Sequence, residues 1–394
     1  MIKQSQTLLA KEIKKKRMLL GQPIYDGGLG ESPLPPPQSL MNEVSKYSHR
    51  KEYTNTKGID ELQNVLGKNL VVGNGLKPLI YVLQLAFTKC FDGIIFHILP
   101  GWVSYMEHTS IIDHKSVGIM TNKEQNWKVT ASQLDKEFSK YPNKQKFIIF
   151  NNPTNPTGSI YNHQEVNDIG SILKKYNCYV LADHIYEGVI HPEHKEQFGD
   201  ISKIIPEQTI IGSSLSKEFG CGGYRFGWLV FPEKMDSKLY ELYQCASNIA
   251  ISIYSCPSIM FQYVALKALS YPEDIKKQFK FQSHMFSDIT KKCVNTLSKT
   301  KLEYSDPQGA WYIWIDCKKY KKKLNDLGIY NSYELTNYLA NVYGIIVVPG
   351  IAFGIEGYAF RFSFVAIKNI DINENKYDAT EIYKAFDILR TLFN

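Results

Sequence analysis

From about residue 65 onward, short apolar runs alternate with segments of helical character, and no other feature restricts the fold as strongly. Strands are expected at Gly93–Leu99, Lys146–Phe150, Tyr179–Ala182, Thr209–Gly212 and Gly227–Phe231. Several of these runs are continuously apolar, as strands covered on both faces must be. Helices are expected between them, at Pro78–Lys89 and Glu165–Tyr176. The pattern is that of an α/β layered fold with a mostly parallel sheet. In such sheets ligands collect where the strands end at their carboxyl side. The chemically loaded loops follow three of these strands, from Asn151, Asp183 and Ser213. Beyond about residue 285 the chain restarts as a smaller α+β unit, with strands expected at Ala310–Ile315, Ile345–Val348 and Tyr358–Phe364.

A length of 394 residues favours two domains over one core. With 44% hydrophobic and 22% charged residues, the balance is that of a globular chain rather than a disordered one. The net charge of +7 helps to attract anionic ligands, but no basic stretch carries a nucleic-acid motif. Lys14, Lys15, Lys16 and Arg17 read as the solvated face of a polar N-terminal helix within residues 1–25. Seven cysteines without a CxxC pair or zinc-like spacing suit a reducing compartment, and no metal site is expected. No apolar run approaches the ~20 residues of a membrane span. The first 25 residues lack a signal peptide's apolar centre, so a cytoplasmic protein is expected. Asp26-Gly27-Gly28-Leu29-Gly30-Glu31-Ser32-Pro33, with prolines soon after at 35–37, reads as a loop.

Three short motifs carry chemistry. The first is Ser213-Ser214-Leu215-Ser216-Lys217, followed by Arg225. An isolated lysine in such a turn is ordinarily a surface residue. Here two hydroxyls and a guanidinium can converge on a phosphate, and a lysine beside that phosphate can form an imine with an aldehyde. The competing phosphate loop, GxxxxGK[ST], is absent. The second is Asn155-Pro156-Thr157-Gly158, which alone would mean only a tight turn. The third is Asp183-His184-Ile185-Tyr186, where an acid at the end of a buried strand needs a partner. His184 points away from its neighbours in an extended segment and receives no catalytic role.

In this order and at these intervals, the motifs resemble the aminotransferase class I/II family, fold-type-I enzymes that depend on pyridoxal 5′-phosphate (PLP). The resemblance runs from about residue 25 to 390. It takes in Tyr53-x-x-x-x-Gly58-x-x-x-Leu62, Gly73-Asn74-Gly75-Leu76-Lys77, Pro100-Gly101-Trp102-Val103-Ser104-Tyr105, and Val348-Pro349-Gly350 followed by Arg361-Phe362-Ser363-Phe364. It implies a PLP-transferase fold with an N-terminal arm (1–40), a large PLP-binding domain (41–284) and a small C-terminal domain (285–394), the small domain drawing on both termini. It implies that PLP is held as a Schiff base on Lys217, with Asp183 on the ring nitrogen. Asn155 and Tyr186 would face the phenolate oxygen, and Trp102 would stack on the ring. Gly75, Leu76, Lys77, Ser214, Ser216 and Arg225 would hold the phosphate. Tyr53 would join them from the second subunit of a homodimer. Arg361, with Asn155 and Gly30, would hold the substrate, and Lys217 would carry the proton between two carbons. The Lys77 side chain itself is expected to point to solvent.

The activity so implied is transfer of an amino group between an L-amino acid and a 2-oxo acid. A carbon–sulfur β-lyase or related synthase is the alternative on the same scaffold. A PLP-binding regulator would need a DNA-binding module, for which residues 1–25 are too short. Only five arginines occur, at 17, 50, 225, 361 and 390. Apart from Arg50 near Tyr53, none is free to bind a second carboxylate, so a neutral or aromatic donor is expected.

Overall fold

The computed structural model describes residues 6–394. Its centre is a seven-stranded sheet built from β1 (Leu70–Gly73), β2 (Gly93–Leu99), β3 (Ser116–Met120), β4 (Gln145–Asn151), β5 (Tyr179–Asp183), β6 (Thr209–Ser214) and β7 (Gly227–Val230). The strand order is β1-β7-β6-β5-β4-β2-β3. Only β7 runs against its neighbours; the other four pairings are parallel. Both faces of the sheet are covered, which explains the unbroken apolar runs. One face packs on helices Leu76–Cys90 and Ser237–Tyr254, through residues such as Leu83, Phe87, Leu181 and Leu242. The other packs on Ala131–Ser139 and His163–Lys175, through Phe138, Phe150, Val166 and Leu173. Capping boxes at Thr130/Gln133 and Asn162/Glu165 start these two helices.

A second sheet holds β8 (Glu303–Tyr304), β9 (Tyr312–Asp316), β10 (Val348–Pro349) and β11 (Ala359–Ser363). Its order is β10-β11-β9-β8, antiparallel throughout. Alternate residues serve opposite faces. Ile313, Ile315, Phe360 and Phe362 enter a core shared with helices Glu273–Leu297 and Thr380–Leu392. Arg361 pairs across the sheet with Trp314 and Val348, on the other face.

Some expected boundaries shift. Ala310 takes a left-handed conformation (φ 55°), so the strand begins at Tyr312 rather than at residue 310. The run expected at Ile345–Val348 divides. Ile345–Ile346 pair in parallel with Tyr25–Asp26, while Val348–Pro349 join the second sheet. The N-terminal helix spans Gln6–Leu19; residues 1–5 of the helix read from the sequence lie outside the described residues. Among the described residues no helix is long and apolar enough to cross a membrane.

Candidate active site

The two sheets meet around a cavity of about 570 Å³. It opens at the carboxyl ends of β4, β5 and β6, where parallel strands leave room for loops. Of the residues singled out in the sequence, Gly30, Leu76, Lys77, Trp102, Asn155, Asp183, Tyr186, Ser214, Ser216, Lys217, Arg225 and Arg361 all line it. Gly75 lies just behind this wall, and Tyr53 stands outside it, 90% exposed.

Asp183 ends β5 and is buried. Its Oδ2 accepts a 2.5 Å hydrogen bond from the Tyr105 hydroxyl, and its Oδ1 accepts from the Ile185 N–H at 3.1 Å. Burial raises its pKa, while these two donors and the charges of His184 and Lys217 oppose the rise. Tyr105 lies one turn beyond Trp102, at the start of helix Val103–Ile112, and their rings meet edge-on at 5.3 Å. Asn155 is held from behind, its N–H donating to Asn151 Oδ1 at 2.8 Å, while Asn151 Nδ2 donates to the Asp183 carbonyl at 3.0 Å. One loop therefore fixes both Asn155 and Asp183.

Lys217 follows β6, and its Nζ donates to the Gly30 carbonyl. The N-terminal loop is thereby laid over the cavity, and Lys14 anchors it further through a 2.6 Å bridge to Asp26. On the same side, helix Leu76–Cys90 begins at Gly75 (φ 95°) without a side-chain cap. Its first amides have no acceptor within the helix, so they are available to an anion. Position 75 favours glycine, because its φ of 95° strains any other residue. Any Cβ there would stand 2.6 Å from Arg225 Nη2, since the guanidinium closes directly on the turn. Arg225 is fixed by donating to the carbonyls of Gly222 (2.7 Å) and Asn74 (3.2 Å). Lys77 is exposed, but its ammonium lies over Trp102, 5.4 Å from the ring centroid, rather than pointing away from the cavity.

The opposite wall belongs to the second sheet. Arg361 is buried; Nη2 donates to the Gly28 carbonyl at 2.9 Å, and Nη1 donates to Asn155 Oδ1 at 3.3 Å. Its guanidinium lies 4.5 Å from the Tyr312 ring centroid and 5.3 Å from that of Phe353. Its Nε is buried without a partner, and no carboxylate among the described residues bridges to it. Burial pushes its pKa down, against the pull of Tyr312 and Tyr186. The Tyr186 and Tyr312 hydroxyls share a 2.7 Å hydrogen bond. Burial raises the Tyr186 pKa far above its ordinary value. A buried cation, an unsatisfied N–H and a facing polar cluster form a site for an anion.

Sequence reasoning assigned no site role to Tyr312, nor to Tyr105 and Asn151, although both of these lie within segments singled out there. Tyr105 carried one usable signal, its helical i, i+3 spacing from Trp102. His184 turns away, toward Glu187 (3.6 Å) and Asp200 (3.5 Å), and is no part of the cavity wall. Arg50 is occupied with Glu52 and Tyr263, at 3.0 Å each, and is likewise absent from this wall.

The family model described as "Aminotransferase class I and II" matches residues 15–375. The chain belongs to the aminotransferase class I and II family. It is accordingly an aminotransferase, of a family whose members are PLP-dependent. Among similar proteins, a probable aspartate/prephenate aminotransferase of Rickettsia felis is 29% identical over 386 residues, 92% of this chain and 90% of the relative. An asparagine–oxo-acid transaminase of Streptococcus mutans is 27% identical, covering 90% of each chain. A double mutant of Thermus thermophilus aspartate aminotransferase superposes with a TM-score of 0.83 at 19% identity, over 100% of this chain and 97% of the other. An aromatic aminotransferase of Pyrococcus horikoshii gives 0.78 at 21% identity, over 96% and 98%. The α/β fold of this aminotransferase is that of these solved structures.

Proposed function

We propose that this aminotransferase holds PLP on Lys217 and transfers an amino group between an L-amino acid and a 2-oxo acid bound at Arg361. The observation that carries the reading is the opposition of two anion sites across one cavity, with Lys217 on its wall. One site is the uncapped helix start with Arg225; the other is Arg361, with its orphaned Nε. Together with the buried acid Asp183 and the indole of Trp102, this donor set fits PLP: a phosphate, a flat ring with a basic nitrogen, and an aldehyde.

When bound, PLP supplies a carbonyl that condenses with amines and a ring that accepts electron density from a bond broken at Cα. Asp183 would face the ring nitrogen and favour a proton there, and the Tyr105 hydroxyl favours the ionised form of that acid against the upward pull of burial. Asn155 and Tyr186 donate to the ring's phenolate oxygen. Gly75, Leu76, Lys77, Ser214, Ser216 and Arg225 grip the phosphate, mainly through backbone N–H groups in the helix turn. Arg361 clamps the substrate carboxylate, with Asn155 and Gly30 beside it, and so orients the Cα–H bond toward Lys217. Lys217 Nζ, on the cavity wall, would take that proton from Cα and hold it for return to the cofactor-bound substrate.

Tyr53, so exposed on one chain, is assigned to the phosphate of a second copy, making the enzyme a homodimer. The seven cysteines are all free thiols, which supports a cytoplasmic location. The division into an arm (1–40), a large domain (41–284) and a small domain (285–394) is kept, its second boundary falling inside helix Glu273–Leu297.

The relatives' names include aspartate, which supports testing an acidic donor, and asparagine, which agrees with the neutral or aromatic donor expected from the arginine count. A donor panel tests both this choice and the reaction. Conversion of the cofactor from its aldehyde to its amine form, with the matching oxo acid released, supports transamination. Pyruvate and ammonia from a β-substituted donor, without that conversion, would show a lyase instead.

A further inference from the structure

The residue after Lys217 is an acid that the reaction does not use. Glu218 is buried, 6% exposed, and no lysine, arginine or histidine bridges to it among the described residues. Its Oε2 accepts a 2.6 Å hydrogen bond from the Gly188 N–H, in the short turn that begins at Tyr186. Position 188 leaves no room for more. A Cβ there would stand 2.7 Å from the Phe279 ring, 2.8 Å from Glu218 Oε2 and 3.0 Å from Glu218 Cβ. A second tie lies alongside. The Gln282 side-chain amide, from helix Glu273–Leu297, donates to the Gly188 carbonyl at 3.0 Å and to the Glu218 carbonyl at 3.1 Å. The turn carrying Lys217 and the turn carrying Tyr186 are thus joined directly by one carboxyl group and indirectly by one amide.

We infer that Glu218 is a positioning residue whose buried carboxyl clasps the Lys217 turn to the Tyr186 turn. The inference rests on the roles proposed above for Lys217 and Tyr186. The charge state follows from the surroundings. An isolated carboxylate in an apolar pocket is costly and takes up a proton instead. Burial, with the nearby Glu187 charge, moves the Glu218 pKa up to about 8, although the Gly188 N–H favours the ionised form. The charged and titratable groups facing it are few. Glu187 lies on the adjoining turn, itself 3.6 Å from His184, and Tyr271 precedes helix Glu273–Leu297; its own pKa is raised chiefly by burial and further by Glu218. Neither can supply a positive charge to offset an ionised Glu218. Ionisation therefore draws the carboxylate out of the apolar pocket toward water and loosens the clasp, although the Gly188 N–H bond taken alone is stronger to the charged form.

Glu218→Gln keeps the shape and the acceptor but cannot ionise. Glu218→Ala removes the clasp. In the holoenzyme, wild-type kcat should fall as pH rises through about 8, with KM little changed. Glu218→Gln should lack that alkaline fall and stay within about threefold of wild type at neutral pH, whereas Glu218→Ala loses on the order of 10- to 100-fold in kcat. A cofactor-free readout follows from proton linkage. The folded state holds the Glu218 proton more tightly than the unfolded chain does. Its stabilising contribution is therefore complete in acid and is lost as pH rises through the folded pKa. Between about pH 5 and about pH 8, wild-type apoprotein should lose stability relative to Glu218→Gln in urea melts. An alkaline limb that persists in Glu218→Gln, or stabilities that track in parallel across pH, overturns the inference even if Glu218→Ala fails to fold. Borohydride labelling of both proteins separates the two readings. Wild type unlabelled at Lys217 refutes the catalytic assignment. Normal labelling with an unchanged alkaline limb refutes only the role of Glu218.

Discussion

One wall of the cavity comes from turns that follow parallel strands, the other from the open face of an antiparallel sheet. On the first, Asp183, Asn155 and Lys217 stand beside strand ends, and each has partners within the protein. Asp183 takes a tyrosine hydroxyl and a backbone N–H, Asn155 is braced by Asn151, and Lys217 rests on the Gly30 carbonyl. On the second, Arg361 projects from the middle of β11, buried, with one carbonyl, one amide oxygen and two aromatic faces around it. No anion meets it. The first wall is complete in itself, as a wall that fixes reacting groups should be. The second carries a buried cation that no carboxylate among the described residues neutralises, which suits the proposed binding of a substrate carboxylate. Substitutions on the first should therefore act on kcat, and those on the second on KM.

The largest effect is expected at Lys217. Lys217→Ala removes the proposed amine attachment and proton carrier together, and should lower kcat by at least ~10³-fold. Steady-state assays that show a modest loss would place the proton transfer elsewhere. Asp183→Asn should come next, at about 10²- to 10³-fold in kcat with KM nearly constant, the range for losing one preorganised charge partner. A change mainly in KM would erase the contrast between the walls. Arg361→Ala should raise KM for amino donors roughly 10- to 100-fold, the ~1.5–3 kcal/mol of a charged hydrogen bond. Cofactor affinity, followed by fluorescence titration, should stay within a few-fold; a parallel loss of both would make Arg361 structural. Tyr105→Phe should be mildest, about 2- to 10-fold in kcat. Its sign in pH is definite. The Tyr105 hydroxyl lowers the Asp183 pKa against burial, so removing it should move the acid limb of kcat to higher pH. A limb moving to lower pH would show that Asp183 is tuned by something else.

The sequence made the first wall readable and much of the second unreadable, for physical reasons. Strands buried on both faces appear as unbroken apolar runs, so β2, β4, β5 and β6 stood out, and their loops carried the marker residues. The edge strand β3 is mostly exposed and β1 is only four residues long, so neither was recognised. Tyr25–Asp26 finds its partner at Ile345–Ile346, a two-residue pairing that no local pattern announces. Tyr312 lies inside a strand among other aromatics, where nothing distinguishes a site residue from core. Arg361 was legible only because arginine is scarce in this chain and its neighbours matched a known motif. Glu218 shows the same limit. Its charge suggests a solvent-facing position, and only the packing of Gly188 and Gln282 reveals a buried one.

The central claim is that Lys217 carries the cofactor. The direct measurement is borohydride reduction of the purified protein with PLP, followed by peptide mapping. The account predicts a single phosphopyridoxyl group, on the peptide that contains Lys217. A label confined to another lysine, or none at all despite tight PLP binding, would contradict it.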